Sequence, residues 1–211
     1  MMDMTDKVTA VPELLELTFD DPSHTYRLDG EVIPSVSRIM EPLKEATYSG
    51  ISERTLRNAA DKGSSVHNSI ENFFKFGIED VAPEHRMYFD AFLDWFEEAE
   101  PVVVGSEIRI YHEILRYGGT IDLLYYDKNG RLILLDFKTT YSISDMSCGV
   151  QLEAYEQALA SHGIKVDGKK ILHLKRNGKY KVIDYPASDS KRWRVFGALK
   201  CLYDYIQSYK K

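Results

Sequence analysis

The sequence predicts one α/β domain whose core elements run α-β-β-β-α-β, preceded by a β-rich extension. Three observations predict it. Apolar residues recur at helical spacing in the stretches before and after a central group of apolar, strand-like runs. Two Asn-Gly pairs, Asn129-Gly130 and Asn177-Gly178, separate apolar runs as hairpin turns do. The chain has 211 residues, 44% of them hydrophobic and 12% aromatic, which is enough for one packed core and too little for two full domains.

The elements follow in order. Residues 1–16 read as a mobile leader, and 17–211 as a single domain made of an extension (17–50), a core (51–185) and a C-terminal helix (186–211). Leu17-Thr18-Phe19, Tyr26-Arg27-Leu28 and Glu31-Val32-Ile33 are short strands separated by Asp20-Asp21-Pro22 and Asp29-Gly30 turns. Ser35 is placed to cap a short helix reaching Met40. A helix is expected over 52–76, where Val66, Ile70 and Phe73 form a stripe that leaves His67 and Glu71 together on the adjoining face. Gly63, one turn before His67, leaves room for another backbone. A second helix, 83–99, opens on Pro83 and carries a core stripe of Tyr88, Phe92, Trp95 and Phe96. Strands are expected at 102–111, 117–126 and 131–138, then a helix at 144–161, a hairpin across Asn177-Gly178 and a last helix at 189–209.

The chemistry concentrates in the central hairpin. Asp122 lies on its first strand, and the second ends in Asp136-Phe137-Lys138. Side chains alternate along a strand, so Asp136 and Lys138 share a face. Two carboxylates and a lysine at one end of a sheet suit a hard divalent cation, with the lysine adding one positive charge.

Four quoted pieces of sequence together resemble the PD-(D/E)xK nucleases, and within them the RecB-like and phage-type exonucleases. They are Gly63-x-x-x-His67-x-x-x-Glu71, Glu107 on the preceding strand, Asp122 with Asp136-x-Lys138, and Gln151-x-x-x-Tyr155. His24-x-Tyr26 with Ser35-Val36-Ser37 is similar to the N-terminal segment of many phage exonucleases. Ile121 stands before Asp122 where the pattern has Pro. The resemblance implies a restriction-endonuclease-like core with a mixed central sheet flanked by helices. It implies a Mg²⁺-dependent deoxyribonuclease, with Mn²⁺ able to substitute, that hydrolyses DNA exonucleolytically in phage or prophage recombination. His67, Asp122, Asp136 and the Phe137 carbonyl are the expected metal ligands, and Lys138 the group at the attacking water or the scissile phosphate. Glu107 is expected to ligate a second metal or to pair with Lys138, and Glu71 to orient His67. Gln151, Tyr155 and the helix start Ser35, Ser37 and Arg38 are the expected substrate contacts. A cytoplasmic setting in a bacterial or phage-infected cell, a single-strand annealing partner and a homo-oligomeric ring are further implications. The alternatives on the same scaffold are a structure-specific or CRISPR-adaptation-like endonuclease and a catalytically idle DNA-binding module.

Composition narrows these readings. The net charge of −6 argues against a protein that coats DNA by diffuse attraction. Lys191-Arg192-Trp193-Arg194, Lys169-Lys170 and Lys175-Arg176 are local basic patches, read as solvated charge. Cys148 and Cys201 are far apart, which argues against a disulfide framework, a zinc site or an iron–sulfur cluster. No run is long and apolar enough to span a bilayer.

Overall fold

The computed structural model describes residues 11, 14–21 and 23–210. Most of the expected leader, and Pro22 of the first turn, lie outside the described residues.

Three short strands, β1 (Leu17–Asp20), β2 (Thr25–Leu28) and β3 (Glu31–Ile33), form an antiparallel sheet of their own. Helix α1 (Val36–Ile39) follows, with the Ser35 hydroxyl accepting from the Arg38 N–H. Helix α2 (Glu41–Thr47), which the apolar pattern does not announce, continues directly from it with Pro42 in its first turn. Helix α3 (Glu53–Phe76) is capped by Ser52 and stopped by Gly77 at φ 65°. Pro83–His85 form a 3₁₀ turn, so α4 begins only at Arg86 and runs to Ala99. Then come β4 (Val102–Tyr111), β5 (Gly118–Tyr126), β6 (Leu132–Lys138), α5 (Asp145–Ser161), β7 (Gly168–Leu174), β8 (Tyr180–Tyr185) and α6 (Ser190–Ser208).

The main sheet has the order β4-β5-β6-β7-β8. Neighbours are antiparallel except β6 and β7, which run parallel because α5 carries the chain across between them. Strand β6 shows how the faces divide. Leu132 and Leu134 pack with α1, α5 and α6, while Ile133, Leu135 and Phe137 pack with α3 and α4. By the same alternation Asp136 and Lys138 belong to the α5 face. Helix α5 lies between sheet and α6 and is buried on nearly every side. On the other face Phe73, Phe89, Phe92, Trp95 and Phe96 meet edge-on or tilted, and burying each fully covered ring contributes about 2 kcal/mol. Tyr117, expected to start β5, is buried just before it, where its hydroxyl donates to the Ala154 carbonyl at 2.8 Å.

Two of the expected basic patches are not free charge. Lys169 is buried and paired with Glu153. Arg192 bridges Asp145 and Asp189 at 2.8 and 3.0 Å. Among the described residues no helix is long and apolar enough to cross a membrane.

Candidate active site

The β5–β6 hairpin builds the centre of the site. Its turn is set by Asp127, which accepts from the Asn129 and Arg131 N–H groups at 2.9 and 3.0 Å, and by Gly130 at φ 70°. The register Leu123↔Leu135 leaves Asp122 and Asp136 next in line at the open end of the pair. There the strands part. The Phe137 N–H donates to Asp122 Oδ2 at 2.6 Å, so a side chain replaces the backbone ladder at this point.

Helix α3 brings His67 to the same spot. Its Nε2 lies 3.1 Å from the Phe137 carbonyl, which can only accept, so this nitrogen carries the hydrogen. Nδ1 then faces Asp122 Oδ1 at 3.5 Å and Glu107 Oε1 at 4.0 Å. Glu107 comes from β4, opposite Asp122 by the flanking pairs Ser106↔Leu123 and Ile108↔Ile121. Its φ of 50° is left-handed inside a strand, a conformation that costs a non-glycine residue about 1 kcal/mol or more and is concentrated at functional sites. On the other side of the hairpin Lys138 Nζ pairs with Asp136 Oδ2 at 2.5 Å.

Charge within the cluster is unbalanced. Burial pushes Glu107 up to about 8, with Asp122 adding to the rise and His67 opposing it. Burial likewise raises Asp136 to about 6 against the pull of Lys138. Asp122 is held below the ordinary carboxylate value: burial opposes this, but His67, Lys138 and the Phe137 N–H prevail. His67 rises to about 9 because Asp122 and Glu107 outweigh the cost of burying its charge. Lys138 is raised above its ordinary value for the same reason, by Asp136 and Asp122 against burial. It is therefore an ammonium here.

The donor atoms of His67, Glu107 and Asp122 lie within 4.8 Å of one another. Two carboxylates and an imidazole, with one carboxylate short of positive charge, fit a divalent cation. Of the other expected ligands, Asp136 pairs with Lys138 and the Phe137 carbonyl meets His67, while Glu107, expected at a second metal or beside Lys138, stands with His67 and Asp122.

The other expected residues are placed by contacts made across the fold. Glu71 lines the cavity but pairs with Lys75, so Asp122, Glu107 and Phe137 orient His67 in its place. Gly63 admits no close backbone: an added Cβ would sit an ordinary 3.8 Å from Thr139 Oγ1. Gly118 and Gly119, beside the site, do need their bareness: a Cβ would lie 2.8 Å from the Tyr26 ring and 2.5 Å from the Tyr155 ring. Tyr155 is buried under Gly119, and Gln151 Nε2 donates to its hydroxyl at 3.1 Å. Ser35 and Ser37 line the cavity, while Arg38 lines a separate one beside α6.

The cavity beside this cluster measures about 560 Å³, and Ser64, Asn68, Thr120 and Arg109 also line it. The sequence reading missed these four. Only their adjacency to His67, Asp122 and Glu107 along helix and strand could have signalled them.

Residues 80–201, more than half of the chain, match the family model of the PD-(D/E)XK nuclease superfamily. The chain belongs to this superfamily. The match includes Glu107, Asp122, Asp136, Lys138, Gln151 and Tyr155 and stops short of His67. The alkaline exonuclease LHK-Exo from Laribacter hongkongensis is a structural neighbour at 13% identity and a TM-score of 0.38, with 82% of this chain and 91% of that chain covered. The structure of LHK-Exo in complex with dAMP aligns at 12% identity and a TM-score of 0.43, covering 83% and 88%. No curated protein matches the chain.

Proposed function

We propose that this nuclease is a Mg²⁺-dependent DNA exonuclease, with Mn²⁺ able to substitute, that degrades linear DNA from its ends. One observation carries the reading: His67, Glu107 and Asp122 converge beside the Asp136–Lys138 pair at the edge of a cavity about 560 Å³ in volume.

His67, Glu107 and Asp122 would hold the cation. Once bound, it supplies Lewis acidity toward the phosphate and toward water. Lys138 supplies a fixed positive charge for the phosphate oxygens, on which charge builds as the bond breaks. Asp136 keeps the ammonium protonated and in place. The Phe137 N–H fixes Asp122, and the Phe137 carbonyl fixes the tautomer of His67. Tyr155 and Gln151 support the floor beneath Gly119, and Ser35 and Ser37 flank the entrance.

The preference for ends rests on charge. A chain of net charge −6 gains little from diffuse attraction to long duplexes, so productive binding depends on local fit. Cytoplasmic action in phage-type recombination, beside an annealing protein and within a homo-oligomeric ring, completes the reading and rests on the motif resemblance. The test offers end-labelled linear duplex, single-stranded and covalently closed circular DNA to the purified protein with Mg²⁺. Linear substrates should shorten from their ends and closed circles should survive. Asp122→Asn should slow cleavage about a thousandfold, the several kcal/mol that a metal centre supplies. Rapid nicking of closed circles would show an endonuclease instead.

A further inference from the structure

A second cavity of about 420 Å³ adjoins the catalytic one and has the opposite electrostatic character. Lys62, Lys175 and Arg176 line it with His173, and no carboxylate does. Five arginines elsewhere on this acidic chain, Arg86, Arg109, Arg116, Arg131 and Arg192, each reach a carboxylate within 4.0 Å. Among the described residues no such partner stands by Lys62, Lys175 or Arg176. Lys62 Nζ rests instead 4.9 Å above the Tyr88 ring. The surface of this chain is therefore short of anionic partners here, beside a site built to handle phosphate.

The two cavities share their wall. Gly63 lines the catalytic cavity and Lys62 lines its neighbour. Thr139, which follows Lys138, lines the basic cavity and faces Gly63 across about one van der Waals contact. The pairing Lys138↔His173 puts the ends of the parallel strands β6 and β7 side by side, so the β7–β8 turn carries Lys175 and Arg176 to the same end of the sheet as Lys138. Tyr141 stands at the rim with its ring wholly exposed. The adjacent loop is held by Thr140 Oγ1 donating to the Ser142 carbonyl at 3.0 Å. An unpaired base can stack on such a ring at little entropic cost.

We propose that this cavity binds the phosphate backbone of the substrate strand on one side of the scissile bond. Lys62, Lys175 and Arg176 contact phosphates, and Tyr141 stacks an unpaired base. The proposal rests on the nuclease reading and adds to it the path of the strand. It also revises the view of Lys175-Arg176 as mere solvated charge.

The test is fluorescence anisotropy of the full-length protein with a labelled single-stranded oligonucleotide in EDTA, across a salt series. Lys175→Ala with Arg176→Ala should weaken binding about tenfold and flatten the plot of log K against log salt by about 1.5, the loss of two phosphate contacts. Removing two charges at the opposite end of the sheet, Lys128→Ala with Lys165→Ala, should change affinity less than twofold. Tyr141→Ala should weaken single-strand binding at least fivefold and leave blunt duplex binding unchanged. Thermal stabilisation by Mn²⁺ should be the same in all variants, which certifies that they are folded with an intact metal site. If the wild type binds DNA and the Lys175/Arg176 variant matches its affinity and salt slope, the proposal is overturned and the nuclease reading stands. An equal loss on duplex overturns the stacking role of Tyr141. A wild type that neither binds nor cleaves DNA brings down both.

Discussion

Two regions of this molecule gather buried carboxylates around a lysine, and they end in opposite states. Around Lys169 the charges are closed. Glu153 accepts from Lys169, from the Asp189 N–H at 3.0 Å and from Gln157 at 3.1 Å, and Gln157 also donates to Glu156 at 2.8 Å. These contacts tie α5, β7 and the start of α6 together. Around Lys138 the charges are open. Lys138 is spent on Asp136, and Glu107 and Asp122 share one imidazole at the edge of a cavity. A buried network whose members hydrogen-bond one another, as Glu153, Glu156, Gln157 and Lys169 do, is structural. One that leaves a carboxylate short of positive charge, with space beside it, is arranged for a ligand.

This contrast predicts that the two centres fail differently. The largest effect should come from the closed one. Lys169→Met leaves Glu153 buried without its cation and should cost about 3–5 kcal/mol of stability, read by urea denaturation. The folded remainder should keep its turnover number, and a variant as stable as the wild type would show that Glu153 does not need the lysine.

The open centre should respond to metal instead. Mn²⁺ at about a hundred times its dissociation constant should stabilise the wild type by about 2.7 kcal/mol. Glu107→Gln and Asp122→Asn should lose that increment while folding normally without metal. A wild-type-sized shift in either variant would remove the residue from the ligand set.

The smallest effect sharpens the comparison within the closed centre. Burial, with Glu153 beside it, raises Glu156 from 4.5 to about 7 against the pull of Lys169. A carboxyl raised in the folded state favours folding while protonated, and that advantage is lost as pH climbs from about 4.5 through 7. Glu156→Gln should therefore stabilise the protein by about 2 kcal/mol at pH 8 and by almost nothing at pH 4. Thermal melts at the two pH values measure the difference, and equal gains at both would trace the effect to packing.

Much of the fold was legible because its signals are local. Asn129-Gly130 and Asn177-Gly178 announce turns whose conformations depend on the residues themselves, and Ser35, Ser52 and Ser144 cap the helices they precede. The meeting of Asp122, Asp136 and Lys138 was legible too, since a hairpin fixes what lies at its end. What escaped depends on partners far away in sequence. Lys169 reads as surface charge beside Lys170 until α5 lays Glu153 against it. Glu71 reads as a partner for His67 because both share a helix face, yet Asp122 and Phe137 come from the sheet to take that place. The clearance at Gly119 exists only because Tyr155, 36 positions on, packs beneath it.

The left-handed turn at Glu107 also bears on how the molecule keeps to itself. Strand β4 is an outer strand of the main sheet, and outer strands offer unpaired amides to any passing chain. A left-handed residue in mid-strand, added to the register shift between Val103 and Gly105, disturbs the straight row of donors and acceptors that a second strand would need. The same residue that aims a carboxylate inward thus guards the sheet against aggregation, which ties solubility and the reactive centre to one position in the chain.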